Sequence, residues 1–101
     1  NGIATAVKEE SQIPTEYLLN QNYPNPFNPT TQIAYSIPKT GYVSLKIYNT
    51  IGQVVATLVE GLQSAGTYTA TFDAKQLSSG IYFYRLQGDN VSLTKKLVLM
   101  K

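Results

Sequence analysis

Enzymes draw their chemistry from a short list of side chains, and most of that list is missing here. The 101 residues include no Cys and no His. Thiolate and imidazole chemistry are therefore excluded, and so is a zinc site built from those ligands. General acid–base catalysis needs titratable groups within reach of each other. Beyond residue 31 the carboxylates are Glu60, Asp73 and Asp89, and each falls in or beside a predicted turn, where carboxylates are normally solvated. A Ser or Thr nucleophile would have only Lys as activator, and no Ser–Lys pair is marked by its spacing. Calcium needs several closely spaced oxygen ligands; Asp89 and Asn90 alone are too few, and turn chemistry accounts for both. Asn90-Val91-Ser92 fits a glycosylation sequon but lies in a tight predicted turn, and Asn28-Pro29-Thr30 is barred by its proline. No catalytic residue, metal ligand or cofactor site is assigned, and the chain reads as a non-enzyme.

Two groups of residues could instead bind something. The first is aromatic, from a chain with 8 Tyr and 3 Phe. If Val43, Leu45 and Ile47 face a core, Tyr42 and Tyr48 face out; if Tyr82, Tyr84 and Leu86 face in, Ile81 and Phe83 face out. An exposed patch of Tyr42, Tyr48 and Phe83 would suit sugar stacking or docking. Cross-strand aromatic pairing that only stabilises the sheet is the preferred account, and a neighbouring domain covering the face is a third. The second group is the end of the chain, Lys95-Lys96-Leu97-Val98-Leu99-Met100-Lys101. It reads either as a last strand covered on both sides with lysines guarding its edge, or as a signal taken by another protein as an added strand or extended peptide. The second reading is preferred, because termini are usually polar and frayed.

The elements that would position these residues are strands. Charged residues make up only 14% of the chain, against roughly 25% in an average domain. The net charge of +2 is too small to argue for nucleic acid. No apolar run is long enough for a transmembrane helix, and residues 1–16 lack the pattern of an export signal. Those residues read as a linker, and the Asn1-Gly2 start without Met predicts a piece of a longer protein or a processed one. In NYPNPFNPTT (22–31), Pro24, Pro26 and Pro29 forbid helix and central strand. An extended edge with turns at Asn25 and Asn28 is expected, pinned to the core by Tyr23 and Phe27. Period-two alternation then dominates: 32–37, 42–48, a return strand at 53–59, 67–72, 81–87 and 91–100. A loop is expected at 61–66, a connection with at most one helical turn at 73–80, and a three-residue turn at 88–90. Six strands plus the Pro-rich edge predict an Ig-like antiparallel β-sandwich of about seven strands over 17–101. Leu77-x-x-Gly80-x-Tyr82 suggests a tyrosine corner, although a plain core Tyr82 fits the pattern too. The expected core is Ile33, Tyr35, Ile37, Val43, Leu45, Ile47, Leu58, Tyr68, Phe72, Tyr82, Tyr84, Leu86 and Leu97.

Four segments taken together carry a resemblance: NYPNPFNPTT (22–31), VSLKIYNTIG (43–52), LSSGIYFYRL (77–86) and TKKLVLMK (94–101). In this order and spacing the chain resembles the type A C-terminal sorting domain of the type IX secretion system. It is also similar to the Ig-like module of flagellar hook-capping proteins. The resemblance implies a domain at the extreme C-terminus of a secreted or surface protein of Bacteroidetes-like bacteria, behind an upstream cargo domain. The parent would reach the periplasm by a separate N-terminal signal. It would then pass the outer-membrane translocon, and a sortase-like peptidase would cut in or before residues 1–16. The cargo would be released or attached to surface lipopolysaccharide. Lys95 to Lys101 would be the part needed for recognition, so that deleting it blocks export while the fold survives. The alternative is a carbohydrate-binding or spacer module of a secreted multidomain enzyme, which would make polysaccharide a partner.

Overall fold

A computed structural model describes residues 14–101; most of the expected linker, residues 1–13, lies outside the described residues. The alternating segments become seven strands. These are β1 (Leu18–Leu19), β2 (Thr30–Ile37), β3 (Gly41–Tyr48), β4 (Val54–Gln63), β5 (Gly66–Asp73), β6 (Gly80–Gly88) and β7 (Val91–Leu99). They form a three-stranded sheet, β1-β2-β5, and a four-stranded sheet, β4-β3-β6-β7. Every pairing between the strands is antiparallel. The crossing from β4 back to β5 in the other sheet gives an Ig-like order with the fourth strand on the β3-β6-β7 side. The core lies between the sheets. Ile33, Ile37, Val43, Leu45, Ile47, Tyr84, Leu86 and Leu97 are fully buried there, with Phe27, Tyr35, Phe72 and Leu99 beside them.

The structure corrects several expectations. The short seventh strand is β1, whereas the Pro-rich stretch makes only isolated bridges, Tyr23 to Gln32 and Phe27 to Leu99. Its Tyr23–Pro24, Asn25–Pro26 and Asn28–Pro29 peptide bonds are cis. Phe27 is buried as expected, but Tyr23 is 81% exposed and anchors nothing. The inward side chain at that point is Asn22, whose Nδ2 donates to Pro24 O at 3.1 Å and to Thr31 Oγ1 at 3.0 Å. Alternation therefore runs through a satisfied polar plug rather than an aromatic ring.

The return strand continues to Gln63 because Gly61 stays in register opposite Val43, and the expected loop shrinks to Ser64 and Ala65. Two register shifts occur in this strand. Val59 and Thr57 face Leu45 and Lys46, and Ala56 and Val54 face Ile47 and Tyr48. Leu58 and Val55 are thus the extra, bulged residues, which is why Leu58 is only partly buried. Tyr68 is also only partly buried: its ring stacks on Tyr35 at 5.4 Å and its hydroxyl donates to Ser64 O at 2.7 Å. The last turn is Asp89-Asn90, since Gly88 already pairs with Val91, and Asn90 adopts φ 59°. A side chain at Gly88 would meet the Tyr17 ring at 2.6 Å, so this turn needs the glycine for close approach. The 73–80 connection holds a single turn, closed by Leu77 N donating to Ala74 O at 2.9 Å. The tyrosine corner is present, with Tyr82 donating its hydroxyl to Ser78 O at 2.8 Å.

Candidate functional site

The end of the chain is built into the sandwich on both of its sides. Leu97 and Leu99 point into the core. On one edge, β7 pairs with β6 from Gly80↔Leu99 to Gly88↔Val91. On the other edge lies the Pro-rich stretch, acting as a strap. Phe27 N donates to Val98 O at 3.0 Å, and Met100 N donates to Phe27 O at 2.9 Å. Val98 N donates to Asn25 Oδ1 at 3.0 Å, and Gln21 Nε2 donates to Lys96 O at 2.7 Å. Prolines fit here because such a strap need not continue a ladder, so a missing N–H costs little. Both backbone groups of Val98, the carbonyl of Lys96 and the N–H of Met100 are thereby engaged along this edge. Lys101 is tied down as well: its N–H donates to Ser79 Oγ at 3.0 Å and its Nζ to the Lys75 carbonyl.

The strap is itself held by Tyr84. Its buried hydroxyl accepts from Asn22 N–H at 2.9 Å and donates to Asn20 C=O at 2.6 Å. Burial pushes this phenol up to about 12, the hydrogen bond from Asn22 opposing only part of that rise.

Side-chain alternation leaves Lys96, Val98 and Met100 turned outward from β7, with Met100 58% exposed. Lys95 falls on the inner side of the strand and is half-buried beside Tyr17, Leu18 and Leu19 at the seam between β1 and β7. Cross-strand register places the outward residues in rows. Val54, Tyr48, Phe83 and Lys96 form one row across the four-stranded sheet. Ile81 and Val98 form the next, and Thr57, Lys46, Arg85 and Thr94 lie on the other side of the first. The terminal segment and the pair Tyr48–Phe83, which the sequence suggested separately, thus share one face. Tyr42 does not join them: it pairs with Leu62 six residues along β3, about 20 Å away at the usual strand rise. The guanidinium of Arg85 covers the Tyr48 ring at 4.9 Å, a contact that sequence reading missed. Its signal was the parity of Arg85 with Phe83. The strap contacts of Gln21 and Asn25 had no comparable signal, because irregular backbone has no period.

As for other chemistry, no group of three Asp or Glu side chains comes together among the described residues. Lys39, Lys46 and Lys75 pair with Asp89, Glu60 and Asp73 at 3.2, 3.7 and 3.8 Å, all on the surface.

No curated protein matches the chain. The family model described as the secretion system C-terminal sorting domain matches residues 21–100, from the strap to the end of β7. That span includes every element just described except β1. It is a family of sorting signals rather than of catalysts, and membership implies a parent cargo protein exported to the cell surface or medium. The chain belongs to the secretion system C-terminal sorting domain family and is a C-terminal sorting signal for type IX secretion.

Proposed function

We propose that the segment Lys95 to Lys101 is what the outer-membrane translocon recognises, and that it is recognised as part of the folded domain. The domain itself performs no catalysis. In this reading the parent protein waits in the periplasm, the translocon engages the domain, and a sortase-like peptidase afterwards separates it from the cargo. The observation that carries the reading is the strap. On the outward edge, both backbone groups of Val98, the Lys96 carbonyl and the Met100 N–H are already hydrogen-bonded, which leaves side chains, rather than a free run of strand edge, for a partner to read. Polysaccharide binding is not favoured at Tyr48 and Phe83, because sugar stacking needs an open ring face and Arg85 lies over Tyr48.

The test is a periplasm-directed fluorescent reporter fused to residues 1–101 in a type IX-competent bacterium, with and without the translocon. Removing residues 95–101 is the wrong perturbation, because it takes away the core side chains of Leu97 and Leu99. The informative variant combines Lys96→Ala, Val98→Ser, Met100→Ser and Lys101→Ala. Periplasmic retention of a variant that still melts cooperatively supports the proposal. Export equal to the unaltered chain overturns it.

A further inference from the structure

Lys46 and Arg85 stand directly opposite each other on the outer face of the four-stranded sheet. Like charges so placed destabilise a strand pair unless something offsets them. Lys46 has Glu60 at 3.7 Å. Arg85 has no carboxylate within ion-pair distance among the described residues. Its Nε donates to Thr94 Oγ1 at a long 3.4 Å, and its guanidinium carbon lies over the Tyr48 ring at 4.9 Å. A guanidinium carries five N–H donors in a planar fork. Here the Tyr48 ring and Thr94 position the group while most of its donors have no protein partner among the described residues. Immediately beside it, Phe83 lies between Tyr48 and Lys96, and Ile81, 45% exposed, pairs with Val98.

We propose that this face is a docking surface for an acidic protein segment of the export machinery. A partner carboxylate binds the Arg85 fork with Lys96 beside it, and an apolar side chain of the same partner packs on Phe83, Ile81 and Val98. The proposal rests on the sorting-signal reading and adds the chemistry of the partner. Charge complementarity selects an acidic occupant. The sandwich of a second copy is a poor source of it, because Glu60, Asp73 and Asp89, the side-chain carboxylates of residues 17–101, are each already engaged by a lysine. A glycan is a poor occupant too, because Phe83 is the one uncovered ring in the patch and Ile81 and Val98 beside it give no flat surface to stack on.

The experiment uses the reporter fused to the full chain, with Arg85→Glu, Arg85→Lys and Lys96→Glu variants. Opposing a desolvated carboxylate lowers export by at least about tenfold for Arg85→Glu. Arg85→Lys falls between it and the unaltered chain, and melting temperatures stay within about 5 °C, as expected for surface positions. Zero-length carbodiimide coupling, read by mass spectrometry, then joins Lys96 to an Asp- or Glu-containing peptide of a translocon protein. Normal export of Arg85→Glu and Lys96→Glu overturns the docking surface and leaves the sorting reading standing. Failure of the unaltered chain to direct export removes both. A Lys96 adduct with a second copy, or protection of Lys96 by an anionic polysaccharide alone, overturns the acidic-protein assignment.

Discussion

Replacing Tyr84 with Phe tests whether the strap is held through one hydroxyl. The ring is fully buried, and Phe preserves its packing. What disappears is the acceptor for Asn22 N–H and the donor to Asn20 C=O. Asn20 is exposed, so its carbonyl can turn to water. Asn22 is only 2% exposed, so its N–H is left without a partner. Such a buried orphan costs about 1–3 kcal/mol. Taking about 2 kcal/mol, the melting temperature of a domain this size falls by roughly 8–16 °C. The pH dependence gives an independent signature. Folding raises the phenol from 10.0 to about 12, so the folded state holds this proton more tightly than the unfolded chain does. Its contribution is complete below pH 10 and is lost as pH rises from 10 to 12, by at most about 3 kcal/mol. The Phe variant lacks that loss, so its deficit against the unaltered chain narrows at alkaline pH. Denaturant unfolding of both chains at about pH 8 and about pH 11 measures this. A deficit smaller than about 0.5 kcal/mol at the lower pH, or one that stays constant between the two, refutes the assignment.

Phe27→Ala removes a buried ring that sits 6.0 Å from Phe72, and is expected to cost about 3–5 kcal/mol. It should also speed amide exchange at Met100 in the folded state, whereas Tyr23→Ala, at an 81% exposed site, should change stability by no more than about 0.5 kcal/mol. Tyr82→Phe loses the bond to Ser78 O but orphans no buried N–H; chemical denaturation should show about 0.5–1.5 kcal/mol, less than Tyr84→Phe.

Where the chain alternates strictly, sequence alone placed side chains correctly. Ile33, Tyr35 and Ile37, then Val43, Leu45 and Ile47, then Tyr82, Tyr84 and Leu86 all turn inward as the period-two rule demands. Leu58 broke that rule because a bulge inserts a residue into β4, and bulges leave no mark in the hydrophobic pattern. Tyr23 misled because side-chain size suggested an anchor. The choice was made instead by hydrogen bonding: Asn22 finds Thr31 and Pro24 inside, and the larger ring stays in water. Of the candidate site, the outward set Tyr48 and Phe83 was legible from alternation. Their distance from Tyr42 was not, because direction along a strand needs the register. The contacts of Gln21 and Asn25 with β7 span 75 and 73 residues and have no local signature.

The strap gives the Pro-rich segment a physical reason to accompany the terminal strand. An apolar last strand with an open edge would recruit other chains, and proteins protect such edges explicitly. Here an Asn side chain stands in for a backbone acceptor at Val98 N, a Gln side chain supplies a donor to Lys96 O, and Phe27 contributes both its N–H and its carbonyl. The prolines between them offer no N–H that would have to be satisfied in turn. Edge protection and burial of Phe27 therefore come from one short stretch, Gln21 to Phe27. If the translocon reads this end as proposed, a free peptide of residues 95–101 is a poor substitute for the domain. Without β6 and the strap, nothing holds Lys96 beside Phe83 and Arg85, and the peptide would have to meet the entropic cost of ordering itself on binding.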